Sequence, residues 1–183
     1  MPSFDLIPHP ASTPAPPFKL WVNVDRSAAF GRTATLNLFF CVGAPESRFA
    51  IPQSTTPARR DELWRTTCFE VFLREQGGKA YTEWNFAPSL DWATYAFSAP
   101  RTDMAPAEVE ADPYIRVEDN LTWWALGATI AIPADASFEL GLSAVIEEQD
   151  GHKSYWALAH PAGGVDEAPD FHDPTCFLAR LPE

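Results

Sequence analysis

Glu70, Glu83 and Asn85 stand in the run CFEVFLREQGGKAYTEWNF, residues 68–86, interleaved with the aromatic rings of Phe72, Tyr81 and Trp84. Two carboxylates, a carboxamide and the Tyr81 phenol form a mixture that can hydrogen-bond the hydroxyls of a sugar. A neighbouring ring, Trp92 or Tyr95, could stack on the C–H face of a pyranose. The same two acids are also the residue types of glycoside hydrolysis, in which carboxyl separation sets the stereochemical route. Whether they do any chemistry depends on whether the chain brings them to one surface.

Alternation along a strand predicts that it does. In TCFEVFLR the residues Phe69, Val71 and Leu73 face one way, and Cys68, Glu70 and Phe72 the other. In AYTEWNF the more apolar set is Thr82, Trp84 and Phe86, with Tyr81, Glu83 and Asn85 opposite. Gln76-Gly77-Gly78 between the two runs reads as a hairpin turn, because glycine supplies the positive φ of a short loop. Pairing core face with core face then places Glu70 beside Tyr81, Glu83 and Asn85. The blander expectation is an ordinary solvent-facing sheet, since antiparallel sheets commonly carry one polar face.

Further groups could complete such a site. Arg101, His160 and His172 are candidates to close it as hydrogen-bond donors. If the polar face is internal, these three could instead satisfy the buried acids. The segment HPAGGVDEAPDFHDP, 160–174, collects His160, Asp166, Glu167, Asp170, His172 and Asp173. Its carboxylates and imidazoles are ligand types for a metal, with Asp170, His172 and Asp173 the nearest to a set, although the spacing matches no tight metal motif. Met104 with His152, His160 or His172 supplies the residue types of a Met/His haem site. Trp123 is a second stacking candidate, on the opposite side of its strand from Trp124, Leu126, Ile130 and Ile132. The chain holds no HExxH, GxSxG, P-loop or GxGxxG run, and the sequon Asn120-Leu121-Thr122 reads as chance.

The elements that must position these residues read as strands. FKLWVNVD (18–25), TATLNLFFCV (33–42), 67–74, 79–88 and WATYAF (92–97) are short, β-branched or aromatic, and bounded by turn residues. PYIRVED (113–119), LTWWALGATIAI (121–132), SFELGLSAVIEE (137–148), SYWALAH (154–160) and TCFLARL (175–181) continue the pattern. About ten strands without helical periods predict an all-β fold, an antiparallel β-sandwich of jelly-roll type. Loops at 43–63, 98–112 and 161–174 are long enough to be expected over a site. Six of the 18 prolines fall in the first 17 residues, which predicts a polyproline-like arm at 1–17 followed by a single domain at 18–183.

The net charge of −12 repels phosphate backbones and anionic lipid, so neither nucleic acid nor membrane is expected as a partner. A neutral ligand is compatible with that field and a cation is attracted to it. The sequence shows neither a secretory leader nor a stretch of ~20 apolar residues, so a cytoplasmic location is expected. Cys41, Cys68 and Cys176 fall in no CxxC spacing and read as buried free thiols.

LWRTTCFEVFL (63–73), YTEWNFAPSLDWATYAF (81–97), Arg101 and Met104, SYWALAHP (154–161), PDFHDPTCF (169–177) and the early LIPHP (6–10) together resemble a family of bacterial DOMON-like proteins, grouped with the family 9 carbohydrate-binding modules. The resemblance spans nearly the whole chain. It implies a β-sandwich whose relatives bind sugars or haem, with calcium as a structural ion and aromatic rings as a sugar platform. Glu83, Asn85, Ser89 and Trp92 occupy the matching block, with Glu70 in its upstream partner; Leu90 stands where that block usually carries glycine. The resulting expectation is non-catalytic binding of a saccharide-like ligand by Glu70, Glu83, Asn85, Ser89, Trp92, Arg101, His160 and His172. The alternatives are a haem or metal binder, an enzyme acting on a sugar-like substrate through Glu70 and Glu83, and a surface for a protein partner.

Overall fold

In the computed structural model, which describes residues 1–53, 56–162 and 168–181 and only the backbone of 28–30, the chain is built from antiparallel strands. They are β1 (Ser3–Pro8), β2 (Leu20–Phe30), β3 (Thr33–Val42), β4 (Cys68–Glu75), β5 (Tyr81–Phe86) and β6 (Trp92–Phe97). Then follow β7 (Ala105–Pro106), β8 (Tyr114–Asp119), β9 (Trp124–Pro133), β10 (Phe138–Glu147), β11 (Lys153–Ala157) and β12 (Ala179–Arg180). The expected all-β antiparallel sandwich is the architecture observed.

The strands form a curled arrangement of two layers. One runs β7-β6-β5-β4-β10-β11 and the other β1-β2-β3-β9-β8, with β12 added to β10. β1 stitches them together: Ser3 to Leu6 pair with β2, and Ile7 and Pro8 pair with β11. This corrects the expected polyproline arm. Pro2 and Pro8 bracket a proline-free SFDLI whose amides remain free to join a ladder, and Leu6 is buried in the core. Toward the C-terminus the expected strand 175–181 is reduced to a 3-10 turn at Pro174–Cys176 and the two residues of β12.

The two layers differ in a way that locates the site. β3 alternates between half-buried and buried residues, as expected for a strand with one face on the core. β4 is buried without a break from Cys68 to Leu73, so its layer is covered on both faces. The inner faces meet in one cluster, in which Phe40 lies 5.1 Å from Phe69 and Phe69 lies 5.5 Å from Trp124. On the far side of the β4 layer a second apolar cluster forms around Phe72, Tyr81, Tyr95 and Phe97, roofed by Phe171 and Phe177. The roof comes from the chain before β4, the loop after β6 and the C-terminal segment. No helix among the described residues is long and apolar enough to cross a membrane.

Candidate functional site

The hairpin register brings the expected residues together. Glu70 pairs with Asn85 and Phe72 with Glu83, while Phe69 pairs with Phe86. Glu70 and Glu83 are therefore diagonal neighbours on the outer face of the β4 layer, the arrangement the alternation predicted. Across the sheet from Glu70 stands Ser143 of β10, followed by Ala157 of β11, while Ala93 flanks Asn85 on β6.

Over the two acids lies a cavity of about 540 Å³. Glu70 and Glu83 contribute its carboxyls, and Trp64, Phe97, Tyr155 and Phe171 its rings. Arg101, Met104 and His172 enter from the loops. Glu70 is 3% exposed and Glu83 5%, so each reaches solvent only marginally.

Among the described residues each acid is held by a single donor. Ser143 Oγ donates to Glu70 Oε2 at 2.6 Å, and Asn85 Nδ2 donates to Glu83 Oε1 at 2.7 Å. The Asn85 amide is oriented in turn by the Cys68 thiol, whose Sγ lies 3.7 Å from Asn85 Oδ1. Glu70 Oε1 has no hydrogen-bond partner among the described residues. Burial pushes the Glu70 carboxyl well above its ordinary range, and the nearby Glu83 pushes it further. Glu83 is raised as well, chiefly by burial, against the downward pull of Asn85 and Arg101.

His172 closes one side through an ordered relay. The Arg101 amide donates to the Tyr81 hydroxyl at 3.2 Å, and that hydroxyl lies 2.7 Å from His172 Nδ1. With the Tyr81 proton given to Nδ1, the neutral ring carries its own proton on Nε2, which stands 3.7 Å from Glu83 Oε2. Burial and the Arg101 charge lower His172 to about 4, so the contact with Glu83 is between a neutral ring and a carboxyl, not an ion pair at neutral pH. Arg101 itself adopts φ 55°, a left-handed conformation uncommon for a side-chain-bearing residue. Its amide bond to Tyr81 and its side-chain bonds to Asp170 hold it there.

The other expected residues lie elsewhere. Trp92 points into the sandwich core, stacked on Trp84 at 5.9 Å, with the Arg59 guanidinium 5.3 Å from its ring. β6 alternates so that Trp92 and Tyr95 face opposite ways; the rings on the site face are Tyr95, edge-on to Trp64 at 5.9 Å, and Phe97, which lines the cavity. Trp92 therefore cannot stack on a ligand in this cavity. Ser89 bonds Asp91 at 2.9 Å within the turn between β5 and β6. In that turn Leu90 holds φ 74° where the resemblance places glycine. His160 is turned away, with Nε2 2.9 Å from the Ile7 carbonyl oxygen and its ring edge-on to His9. Asn85 is fully buried behind Glu83 and orients it rather than lining the cavity. Trp123, half-buried, sits in the turn before β9, where its amide bonds Asn120 Oδ1.

The metal and haem expectations find little to hold a group. Among the described residues no three His, Cys, Asp or Glu side chains converge as a metal set. Asp170 is taken by Arg101 and Asp173 by Thr175, while Asp166 and Glu167 lie outside the described residues. Met104 and His172 do share the cavity, yet His172 Nδ1 is hydrogen-bonded to Tyr81 and its Nε2 faces the Glu83 carboxyl at 3.7 Å. Among the described residues the donors as arranged form neither a calcium set nor an axial haem pair. Cys41, Cys68 and Cys176 are free and buried, as expected.

Trp64, Phe97, Tyr155 and Phe171 were not singled out as cavity residues. Alternation along KSYWA, which sends Trp156 inward and Tyr155 out, could have found Tyr155. Trp64 sits in a 3-10 turn (Leu63–Arg65) and Phe171 in a loop, where no periodicity signals a direction.

No protein-family model matches the chain, and no curated protein matches it. Among solved structures, one from Bacteroides uniformis ATCC 8492, described as a "putative carbohydrate-binding protein", is similar in fold at a TM-score of 0.58 and 14% identity. The match covers 99% of this chain and 85% of that one.

Proposed function

We propose that this chain binds a saccharide or a similarly polyhydroxylated small molecule in the cavity over β4 and β5, without catalysing its conversion. The observation that carries this reading is the pair of buried carboxyls, Glu70 and Glu83, facing a ring-lined cavity of about 540 Å³. Concave, largely apolar sites with a few fixed polar groups are the usual form of small-molecule sites. The sequence blocks that resemble DOMON-like proteins and family 9 modules support the same reading, as does the description of the similarly folded Bacteroides protein. Glu70, Glu83 and Arg101 bond the hydroxyls, His172 positions Glu83, and the rings take the C–H faces.

A thermal-shift screen against mono- and oligosaccharides tests it. A saccharide at ~100 times its Kd adds about 2.7 kcal/mol of stability. Glu83→Ala is expected to abolish that shift while the protein still melts cooperatively. A saccharide shift unchanged in Glu83→Ala removes Glu83 from the site, and a flat screen overturns the reading.

The raised carboxyls favour one second reading, acid–base catalysis on a sugar-like substrate, because an acid held protonated near neutral pH can protonate a leaving group. Turnover of aryl glycosides that disappears in both Glu70→Gln and Glu83→Gln distinguishes it from binding alone.

A further inference from the structure

The proposed ligand class does not by itself explain why two acids, both buried, should line one cavity. A neutral sugar asks for a balance of donors and acceptors. These walls are unbalanced: Glu70 and Glu83 face one guanidinium, and Arg101 places both Nε and Nη2 on Asp170 Oδ1, at 3.0 and 2.8 Å. Among the described residues the one imidazole in the lining is His172, neutral at physiological pH. Glu70 is more than nine-tenths buried, lines the cavity and keeps Oε1 unbonded among the described residues. Glu83 Oε2 has only His172 Nε2 near it, at 3.7 Å, beyond a proper hydrogen bond.

Trp64, Phe97, Tyr155 and Phe171 line the same cavity as the acids. Carboxylates with several rings around a space of small-molecule size are what binds an organic ammonium, through charge-assisted hydrogen bonds and the attraction of cations to ring faces. A bare divalent ion is served poorly, because it asks for six or more oxygens and no three His, Cys, Asp or Glu side chains converge as a ligand set among the described residues. The chain's net charge of −12 draws cations toward it at long range.

We infer that the ligand of this cavity carries a protonated amine, as in an amino sugar, and that the ammonium sits between Glu70 and Glu83. This inference rests on the saccharide reading above and narrows it. Burial pushes both carboxyls upward and Glu83 pushes Glu70 further, so a cation beside the pair relieves them.

The test is calorimetric titration at low salt with matched pairs: glucosamine against glucose, galactosamine against galactose, and N-acetylglucosamine as the capped amine. Choline and calcium chloride are run alongside. At least one amino sugar is expected to bind tenfold or more tighter than its neutral partner and than the capped form. Glu70→Gln and Glu83→Gln, near-isosteric and each uncharged, are expected to erase that preference; should one fail to fold, the other carries the comparison. Equal affinity for amine and neutral partner, or binding of the neutral sugars alone, overturns the inference and leaves the saccharide reading standing. Choline or calcium binding without any sugar overturns the saccharide reading and this inference with it, as does silence across the panel. A preference for the amine that survives both Gln variants also overturns the inference.

Discussion

Arg101 joins Asp170 across 69 residues of chain, placing both Nε and Nη2 on one carboxylate oxygen, and so ties the loop after β6 to the segment that carries His172. The pair is more than 40% exposed on both sides, so its direct contribution to stability is roughly 0–1 kcal/mol. Its consequence lies in the roof of the cavity: Arg101, Phe171 and His172 all line it, and the Arg101 amide also holds Tyr81.

Arg101→Ala is accordingly expected to move the melting point little and to weaken ligand binding mainly through faster dissociation. Stopped-flow or surface-based kinetics on a ligand identified in the titrations would measure it. A loss of stability well beyond 1 kcal/mol would instead make Arg101 part of the framework that folds the roof.

The two acids give the protein a pH dependence of definite sign. Glu70 and Glu83 are both raised above the ordinary value of 4.5, so between that value and the neutral range the native state holds more protons than the unfolded one. Their contribution is full below pH 4.5 and is lost as pH rises through the neutral range. His172 acts oppositely, being lowered from 6.5 to about 4, and its contribution is lost as pH falls across that interval. Above pH 6.5 the acids act without this opposition. The melting temperature is therefore expected to fall from pH 6.5 into mildly alkaline buffer, and the double variant Glu70→Gln/Glu83→Gln should flatten that decline. A parent protein that grows more stable over the same range would contradict the placement of the two carboxyls.

The tryptophans separate framework from site. Trp92, 3% exposed and stacked on Trp84 in the core, should cost ~3–5 kcal/mol when changed to Ala, the usual range for a large buried ring. Trp64, half-buried over the cavity and edge-on to Tyr95, should cost less stability on the same change and more affinity. Chemical denaturation paired with ligand titration reads both quantities. If Trp92→Ala folds well and loses binding selectively, the assignment of the two rings is reversed.

How far the sequence revealed this arrangement depended on periodicity. β3 and β6 have the expected ends, and the common face of Glu70, Tyr81, Glu83 and Asn85 followed from two alternating strands and a glycine turn, because a period of two leaves no freedom about which side chains share a face. The same rule, applied to WATYAF, puts Trp92 opposite Tyr95; the stacking role failed for Trp92 because the ring was chosen by type and not by face. β1 was hidden because prolines at its borders masked the five free amides between them. The roof lies in loops, where Trp64, Arg101 and Phe171 are placed by contacts distant in sequence, and no local pattern announces those. Nor could the sequence tell whether the polar face was covered by a ligand or by the protein, since loops over a sheet and loops beside it have the same composition.

The three thiols provide a check on how tightly the two layers and the roof are closed. Cys68 lies fully buried beneath Asn85, with burial and the neighbouring acids raising it well above its ordinary value. Cys41 and Cys176 are pushed up to about 11, chiefly by burial. A thiol at that value is only ~0.1% thiolate at pH 8, and the thiolate is the reacting form. Native protein should therefore react with a thiol-specific disulfide reagent orders of magnitude more slowly than unfolded protein, with Cys68 the slowest. Cys176 stands under the roof, where its Sγ contacts the Ala159 and Asp170 carbonyls. Loosening the roof through Arg101→Ala should thus accelerate Cys176 and leave Cys41, on the opposite layer, unchanged. Mass spectrometry of the labelled peptides distinguishes the sites, and equal acceleration of both would mean that the variant opens the whole sandwich and not the roof alone.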